Sequence, residues 1–223
     1  MPKAALFDDR GCALGEGAFW HPLRQQWFWF DILGKKLLST DGWEHQFDRY
    51  VSAMGWIDEA HVLIATSTDL IQFNLETKAE TRIVEMESDN KGTRSNDGRA
   101  DPYGGFWIGT MGLNADRDAG AIYRYYRGEF EELYAPITTP NSICFSPDGS
   151  TAYFTDTPSK MIQSVKLDEH GWPCAEPKLH INLYGTDLNP DGSVVDAKGN
   201  LWNAQWGSSR VAAYDPKGNE VAA

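Results

Sequence analysis

The sequence predicts an all-β fold of the propeller kind, and three observations carry that prediction. First, one sentence of residues recurs. Residues 95–111 read SNDGRADPYGGFWIGTM: a polar triplet, a Pro/Gly turn, then an apolar run. Copies occur at 140–157 (PNSICFSPDGSTAYFTDT) and 190–206 (PDGSVVDAKGNLWNAQW), with a fainter one at 14–32 (LGEGAFWHPLRQQWFWFDI). Second, the last residues of the second strands are Asp31, Thr66, Thr110, Asp156 and Gln205, which by subtraction are 35, 44, 46 and 49 residues apart. A period of about 40–50 residues with several short strands per unit is that of a β-propeller. Third, strands of three to seven residues dominate, and no amphipathic pattern of ten or more residues suggests a helix.

Taken in order, residues 3–7 form a short apolar stretch expected to complete a blade, since an unpaired sheet edge invites aggregation. Unit one follows with Glu16, a His21-Pro22 turn, and strands at 26–32 and 34–40. Unit two is weaker, with strands at 54–57, 61–67 and 70–75 and an outer strand at 79–86. In unit three, Asp101-Pro102 starts a turn and Gly104-Gly105 supplies the backbone freedom that completes it. Residues 112–120 read as an exposed loop, followed by strands at 121–126 and 130–134. Unit four has strands at 153–156, 161–167 and 178–183. Unit five has strands at 201–205 and 211–214. The nine tryptophans fall mostly in second-strand slots, where packing between blades is the expected role. Trp20 and Trp206 stay open as site residues because each lies near a proposed site segment.

The 223 residues suffice for one domain, residues 1–223, and no Ser/Gly- or Pro-rich linker divides them. The formal net charge of −12 argues against nucleic acid and anionic membrane as partners, because both need clustered Lys and Arg. Three widely spaced cysteines without a CxxC pair read as reduced thiols. No signal-peptide core or apolar run of about 18 residues is found. Together these point to a cytoplasmic protein.

Equivalent positions of the innermost strands meet at one mouth of a propeller's channel. The leading polar residues Glu16, Asn96, Asn141 and Asp191 therefore form an expected ring; in unit two the corresponding position is taken as Met54. Two carboxylates ~5 Å apart repel by roughly 3 kcal/mol at an effective dielectric of 20. Either one is protonated or a cation lies between them. All-oxygen donors suit Ca²⁺, Mg²⁺ or Mn²⁺. The bland alternative is that Asn-Asp-Gly and Pro-Asp-Gly are common turn sequences. The five histidines lack zinc-protease spacing, and no Gly-x-Ser-x-Gly elbow, Walker loop or EF-hand occurs.

With these motifs (LGEGAFW, RSNDGRADPYGGFWIGTM, PNSICFSPDG, PDGSVVDAKGNLWNAQW) the chain resembles the senescence marker protein/gluconolactonase/regucalcin family over essentially its whole length. The resemblance implies a six-bladed propeller, here apparently truncated after the fifth blade. It also implies one divalent cation, Ca²⁺ first and Zn²⁺, Mn²⁺ or Mg²⁺ as alternatives, and hydrolysis of sugar lactones. By motif, the implied metal ligands are Glu16, Asn141 and Asp191, with Asp191 also the general base or the group that positions the attacking water. The implied substrate contacts are Arg94 and Asn96. Asn114 matches a position that can hold an acidic substrate contact in relatives and is an amide here. Two other functions stay open: a non-catalytic calcium- or ligand-binding propeller, and a propeller hydrolase of esters or phosphotriesters. An open propeller exposes blade faces and edges, so low stability and self-association through the open edge are expected.

Overall fold

A computed structural model describes residues 5–223 and is built of twenty strands with a single short 3₁₀ turn. The strands form five sheets of four, each a simple meander in which neighbours in sequence pair antiparallel. Blade 1 holds β1 (Gly15–His21), β2 (Gln26–Asp31), β3 (Lys36–Ser39) and β4 (Glu44–Gln46). Blade 2 holds β5 (Val51–Trp56), β6 (His61–Thr66), β7 (Asp69–Asn74) and β8 (Glu80–Glu85). Blade 3 holds β9 (Thr93–Ala100), β10 (Phe106–Gly112), β11 (Gly120–Tyr126) and β12 (Glu129–Ile137). Blade 4 holds β13 (Pro140–Phe145), β14 (Thr151–Asp156), β15 (Met161–Lys166) and β16 (Lys178–Asn182). Blade 5 holds β17 (Asn189–Val195), β18 (Leu201–Trp206), β19 (Arg210–Tyr214) and β20 (Glu220–Ala222). The sequence reading placed most of these strands within a residue or two. It missed the short outer strands β4 and β20. The expected strand at 3–7 falls partly outside the described residues, and residues 5–7 belong to no strand.

Four apolar clusters glue the blades in succession. Phe28, Phe30 and Leu37 of blade 1 pack on Met54, Ile64, Ile71 and Phe73 of blade 2. Ala53, Leu63 and Leu70 of blade 2 meet Phe106 and Ile108 of blade 3. Trp107 and Ile122 of blade 3 meet Ile143, Phe154 and Val165 of blade 4. Cys144, Tyr153 and Ile162 of blade 4 meet Leu201, Ala212 and Tyr214 of blade 5. Among the described residues no such cluster joins blade 5 to blade 1. Between them lies an open cleft edged by Trp20, Val194 and Val211, all exposed.

The expected role of the tryptophans needs correction. Of the tryptophans expected between blades, only Trp107 is fully buried there, whereas Trp27 and Trp56 are exposed, as are Trp20 and Trp206, the two left open as site residues. The cause is strand alternation. On β2, Phe28 and Phe30 take the face against blade 2, so Trp27 and Trp29 take the opposite face.

The Asp101–Gly105 turn carries more than a change of direction. Asp101 Oδ1 accepts from the N–H groups of Tyr103 and Gly105, both at 2.8 Å. Its Oδ2 accepts from Arg124 Nε at 2.7 Å, and both side chains are completely shielded from solvent. Arg124 then reaches His170 O at 2.8 Å and lies over the rings of Tyr126 and Trp172. The ion pair therefore ties a blade 3 turn to the long loop of blade 4. Removing one partner strands a charge in the interior. Arg124→Ala is expected to lower the unfolding free energy by about 3–5 kcal/mol. Urea denaturation measures this, and a change under about 1 kcal/mol would assign the pair the weight of a surface contact.

Candidate active site

Five residues from four blades meet around one cavity of about 470 Å³ at the channel mouth: Glu16 on β1, Arg94 and Asn96 on β9, Asn141 on β13 and Asp191 on β17. Apolar wall is supplied by Leu14, Met111, Pro158 and Trp206. Trp206 is the one aromatic ring in the lining and is 65% exposed.

The local cause of this convergence is a repeated irregularity. A residue at or near the end of the second strand pairs with the residue just before the site position in every blade: Gly15 with Asp31, Val51 with Thr66, Ser95 with Thr110, Pro140 with Asp156 and Pro190 with Gln205. At the site position or directly after it, the register slips in all five inner strands. A bulge of this kind kinks a strand and re-aims a side chain. Gly17 (φ 63°) and Ser142 (φ 59°) take the left-handed conformation within two of these bulges. At Gly17 a side chain is excluded as well, because a Cβ would lie 2.4 Å from Ser52 O. The register also corrects the sequence reading in unit two. The position equivalent to Glu16 and Asn141 is Ser52, not Met54, which lies in the core. Ser52 is buried and donates to Ser95 Oγ at 2.8 Å, so blade 2 contributes structure rather than a site ligand.

Hydrogen bonds divide the expected ring of four. Asn96 Oδ1 accepts from Arg94 Nη1 at 2.9 Å, and its Nδ2 donates to Pro140 O at 2.9 Å. The amide oxygen of Asn96 is therefore engaged by a cationic donor, whereas that of Asn141 accepts only from the Asn96 amide at 3.3 Å. Asn141 Nδ2 donates to Thr157 Oγ1 at 2.9 Å, leaving Oδ1 toward Asn96 Nδ2 at 3.3 Å. The carboxylates of Glu16 and Asp191 accept no hydrogen bond from a side chain among the described residues. Arg94 is buried, and its Nε has no partner. Asn114 does not line the cavity. It is exposed on the loop beside it, and Ala115 faces the cavity instead.

Sequence reasoning overlooked two supports beneath the cavity. Asp97 keeps some surface on the channel, and its Oδ2 accepts from Ile143 N–H at 2.8 Å. Arg99 spans to Ile143 O and Ser193 O at 3.0 and 3.1 Å. The second support is a buried knot in which Ser142 Oγ donates to Asp191 O at 2.6 Å, with Asn203 Nδ2 3.0 Å from the same carbonyl. Asp97 stood in the Asn-Asp-Gly triplet and was readable as an acid. Asn203 carried no repeat signal.

Electrostatics set the chemistry. Burial raises the Glu16 carboxyl to about 8, and Asp191 and Asp97 add to this while Arg94 opposes it. Burial, then Asp97, lifts Asp191 to about 6 against the Gly192 N–H. Asp97 is also raised, by burial above all. Burial lowers Arg94, with Glu16 pulling it back. No cluster of three or more His, Cys, Asp or Glu side chains suited to a metal occurs among the described residues. What the cavity offers is two carboxylates and an amide oxygen, short of donors and mutually repelling. That set fits a hard divalent cation by donor type and by charge.

The fold and cavity define an all-β propeller with an oxygen-rich pocket at its channel mouth. The chain matches the family described as SMP-30/Gluconolactonase/LRE-like region over residues 14–223, and it belongs to that family. A solved structure of a calcium-binding protein, regucalcin, from Agrobacterium tumefaciens superposes with a TM-score of 0.93 at 41% identity, covering 96% of this chain and 75% of that one. A Rhizobium meliloti protein provisionally named a sugar lactone lactonase is 40% identical over 94% of this chain and 73% of its own length. The L-arabinolactonase of Azospirillum brasilense is 36% identical over 98% of this chain and 76% of its own.

The raised carboxyls have a consequence for the cation-free protein. A folded state with raised carboxyl values binds more protons than the unfolded chain, so stability falls as pH rises. For Glu16 the loss begins near the unfolded value of about 4.3 and ends near about 8; for Asp191 it ends near about 6. Cation-free wild type is expected to lose stability relative to Glu16→Gln between about pH 5 and 8, by at most about 1.4 kcal/mol per pH unit. Urea midpoints across that range test it. Parallel profiles for the two proteins would show that Glu16 ionises freely.

Proposed function

We propose that this protein hydrolyses sugar lactones with the help of one divalent cation. The observation that carries the reading is the convergence of Glu16, Asn141 and Asp191 on one cavity beside Arg94 and Asn96. The names of the relatives, lactonases among them, support the same activity. Glu16, Asn141 and Asp191 would hold the cation, which when bound supplies Lewis acidity for the lactone carbonyl.

The protein's own groups account for the rest. Asp191 is the group proposed to accept a proton from water aimed at the carbonyl carbon; in the cation-free protein burial and Asp97 raise its carboxyl to about 6. Arg94 has N–H capacity left over from Asn96 and Ser95 O, and can donate to a ring hydroxyl or the carbonyl oxygen. Asn96 holds Arg94 in that orientation. Trp206, in the same lining, offers a flat apolar face to the C–H side of a sugar ring. Asn114 on the lip is proposed to contact only substrates long enough to leave the cavity. The similarity to the calcium-binding regucalcin of Agrobacterium favours Ca²⁺ as the first metal to test, with Zn²⁺, Mn²⁺ and Mg²⁺ as alternatives. It also supports a second reading, a calcium-binding propeller without turnover. The cleft between blades 5 and 1 has the apolar edges of a blade interface, which supports a six-bladed ring.

Asp191→Ala is expected to abolish hydrolysis of aldonolactones assayed with added Ca²⁺, Mn²⁺ or Zn²⁺. Unchanged turnover across a lactone panel would remove the proposal, and tight cation binding without turnover by the wild type would favour the second reading. Trp206→Ala is expected to raise KM for sugar lactones about tenfold, corresponding to about 1.4 kcal/mol, with kcat nearly unchanged. Steady-state kinetics separate the two constants. A fall in kcat at constant KM would move Trp206 from binding to chemistry.

A further inference from the structure

Asn141 poses a problem of orientation. A carboxamide presents an oxygen that can face a cation and an NH2 that cannot, in nearly the same shape. A half-turn of the side chain would convert a ligand into an obstacle. The hydrogen-bond chain behind Asn141 decides between the two.

That chain starts at Pro190 O on β17, which can only accept. Thr157 Oγ1 lies 2.8 Å away and donates to it. A hydroxyl carries one proton, so toward Asn141 the same oxygen can only accept. Asn141 Nδ2, 2.9 Å from Thr157 Oγ1, is therefore the end directed at it. The carboxamide oxygen is turned the other way, toward the cavity and Asn96 Nδ2. Asn96 cannot reverse the arrangement, because its own NH2 is fixed on Pro140 O and its oxygen on Arg94.

Thr157 is well placed to hold this polarity. It opens the short turn Thr157–Ser159, and its own N–H donates to Thr139 O at 3.0 Å. We propose that Thr157 is a positioning residue that orients the Asn141 carboxamide oxygen toward a divalent cation by relaying the acceptor character of the Pro190 carbonyl. This rests on the reading of Asn141 as a cation ligand given above. Thr157 also joins blade 4 to blade 5 at the level of Asp191, so one hydroxyl couples two of the three donors.

The test compares Thr157→Val, which keeps the shape and loses the hydroxyl, with Thr157→Ser, which keeps the hydroxyl. Mn²⁺ affinity is measured by calorimetric titration, alongside lactone turnover as a function of Mn²⁺. Removing a group that orients a ligand typically weakens binding about 10–100-fold. The Val variant is expected to lose that much affinity, the Ser variant less than about threefold, and turnover by the Val variant to recover at high Mn²⁺. Should the Val variant fail to fold, Thr157→Ala replaces it with the same expectation. Wild-type affinity in the variant lacking the hydroxyl overturns the proposal. Asn141→Ala separates the two levels. If it loses affinity while the Thr157 variants do not, the positioning role alone fails; if it binds Mn²⁺ like wild type, the ligand assignment fails with it.

Discussion

The structure depends on one repeated constraint, the slip in register in each blade's innermost strand. A regular inner strand directs its side chains to the two neighbouring blades and leaves none for the channel mouth. The slip breaks that alternation and removes ladder partners from a few backbone groups. Those groups cannot stay unpaired at no cost. The cross-blade bonds answer this need: Asn96 Nδ2 to Pro140 O, Ser142 Oγ to Asp191 O, and Thr157 Oγ1 to Pro190 O. The same irregularity thus turns the polar residues inward and fastens one blade to the next. Site geometry and blade packing are not separable here, because the atoms that align the donors are those that satisfy the slipped backbone.

A second consequence concerns charge. Three acids, Glu16, Asp97 and Asp191, influence one another across the channel. Two arginines face them and differ in role. Arg99 gives its N–H groups to the carbonyls of Ile143 and Ser193, so it mainly braces β9 against β13 and β17. Arg94 keeps an enclosed, unpartnered Nε and lines the cavity. One arginine cannot neutralise two carboxylates that also lack side-chain donors. The imbalance is tolerable only if a proton or a cation is held among them, which makes proton and cation competitors for the same oxygens.

Much of this was legible because the repeat is written in turn residues and aromatic strands. Gly-Gly after Asp101-Pro102, and the polar residue fourteen or fifteen places before Asp31, Thr110, Asp156 and Gln205, are local signals that survive without a structure. They located the blades and brought Glu16, Asn141 and Asp191 to one cavity. Ser52 was missed because a buried serine in a weak repeat resembles any strand residue; only the pairing of Val51 with Thr66 reveals it. Asn203 and Ser142 were missed for a related reason. Their importance lies in contacts with residues dozens of positions away, and no spacing rule encodes those. The tryptophans misled because burial depends on which face of a strand meets a neighbour. Alternation on β2 gave that face to Phe28 and Phe30.

The cavity's shape bears on which of the two proposed readings is stronger. A cation requires a handful of oxygen atoms and little space of its own. A volume of about 470 Å³ lies in the range of small-molecule pockets, well beyond that need. Its lining is also mixed. Leu14, Met111, Pro158 and Trp206 supply apolar surface, while Arg94, Asn96 and Asn189 supply hydrogen-bonding groups. A small cyclic polyol carries the same two kinds of surface, C–H groups and hydroxyls. A protein built only to bind calcium would have no physical reason to keep a buried arginine with an unsatisfied Nε next to the cation's oxygens, since the positive charge opposes binding. An enzyme that must also draw in a carbonyl and hydroxyls does have such a reason, and on that ground the lactonase reading is the stronger.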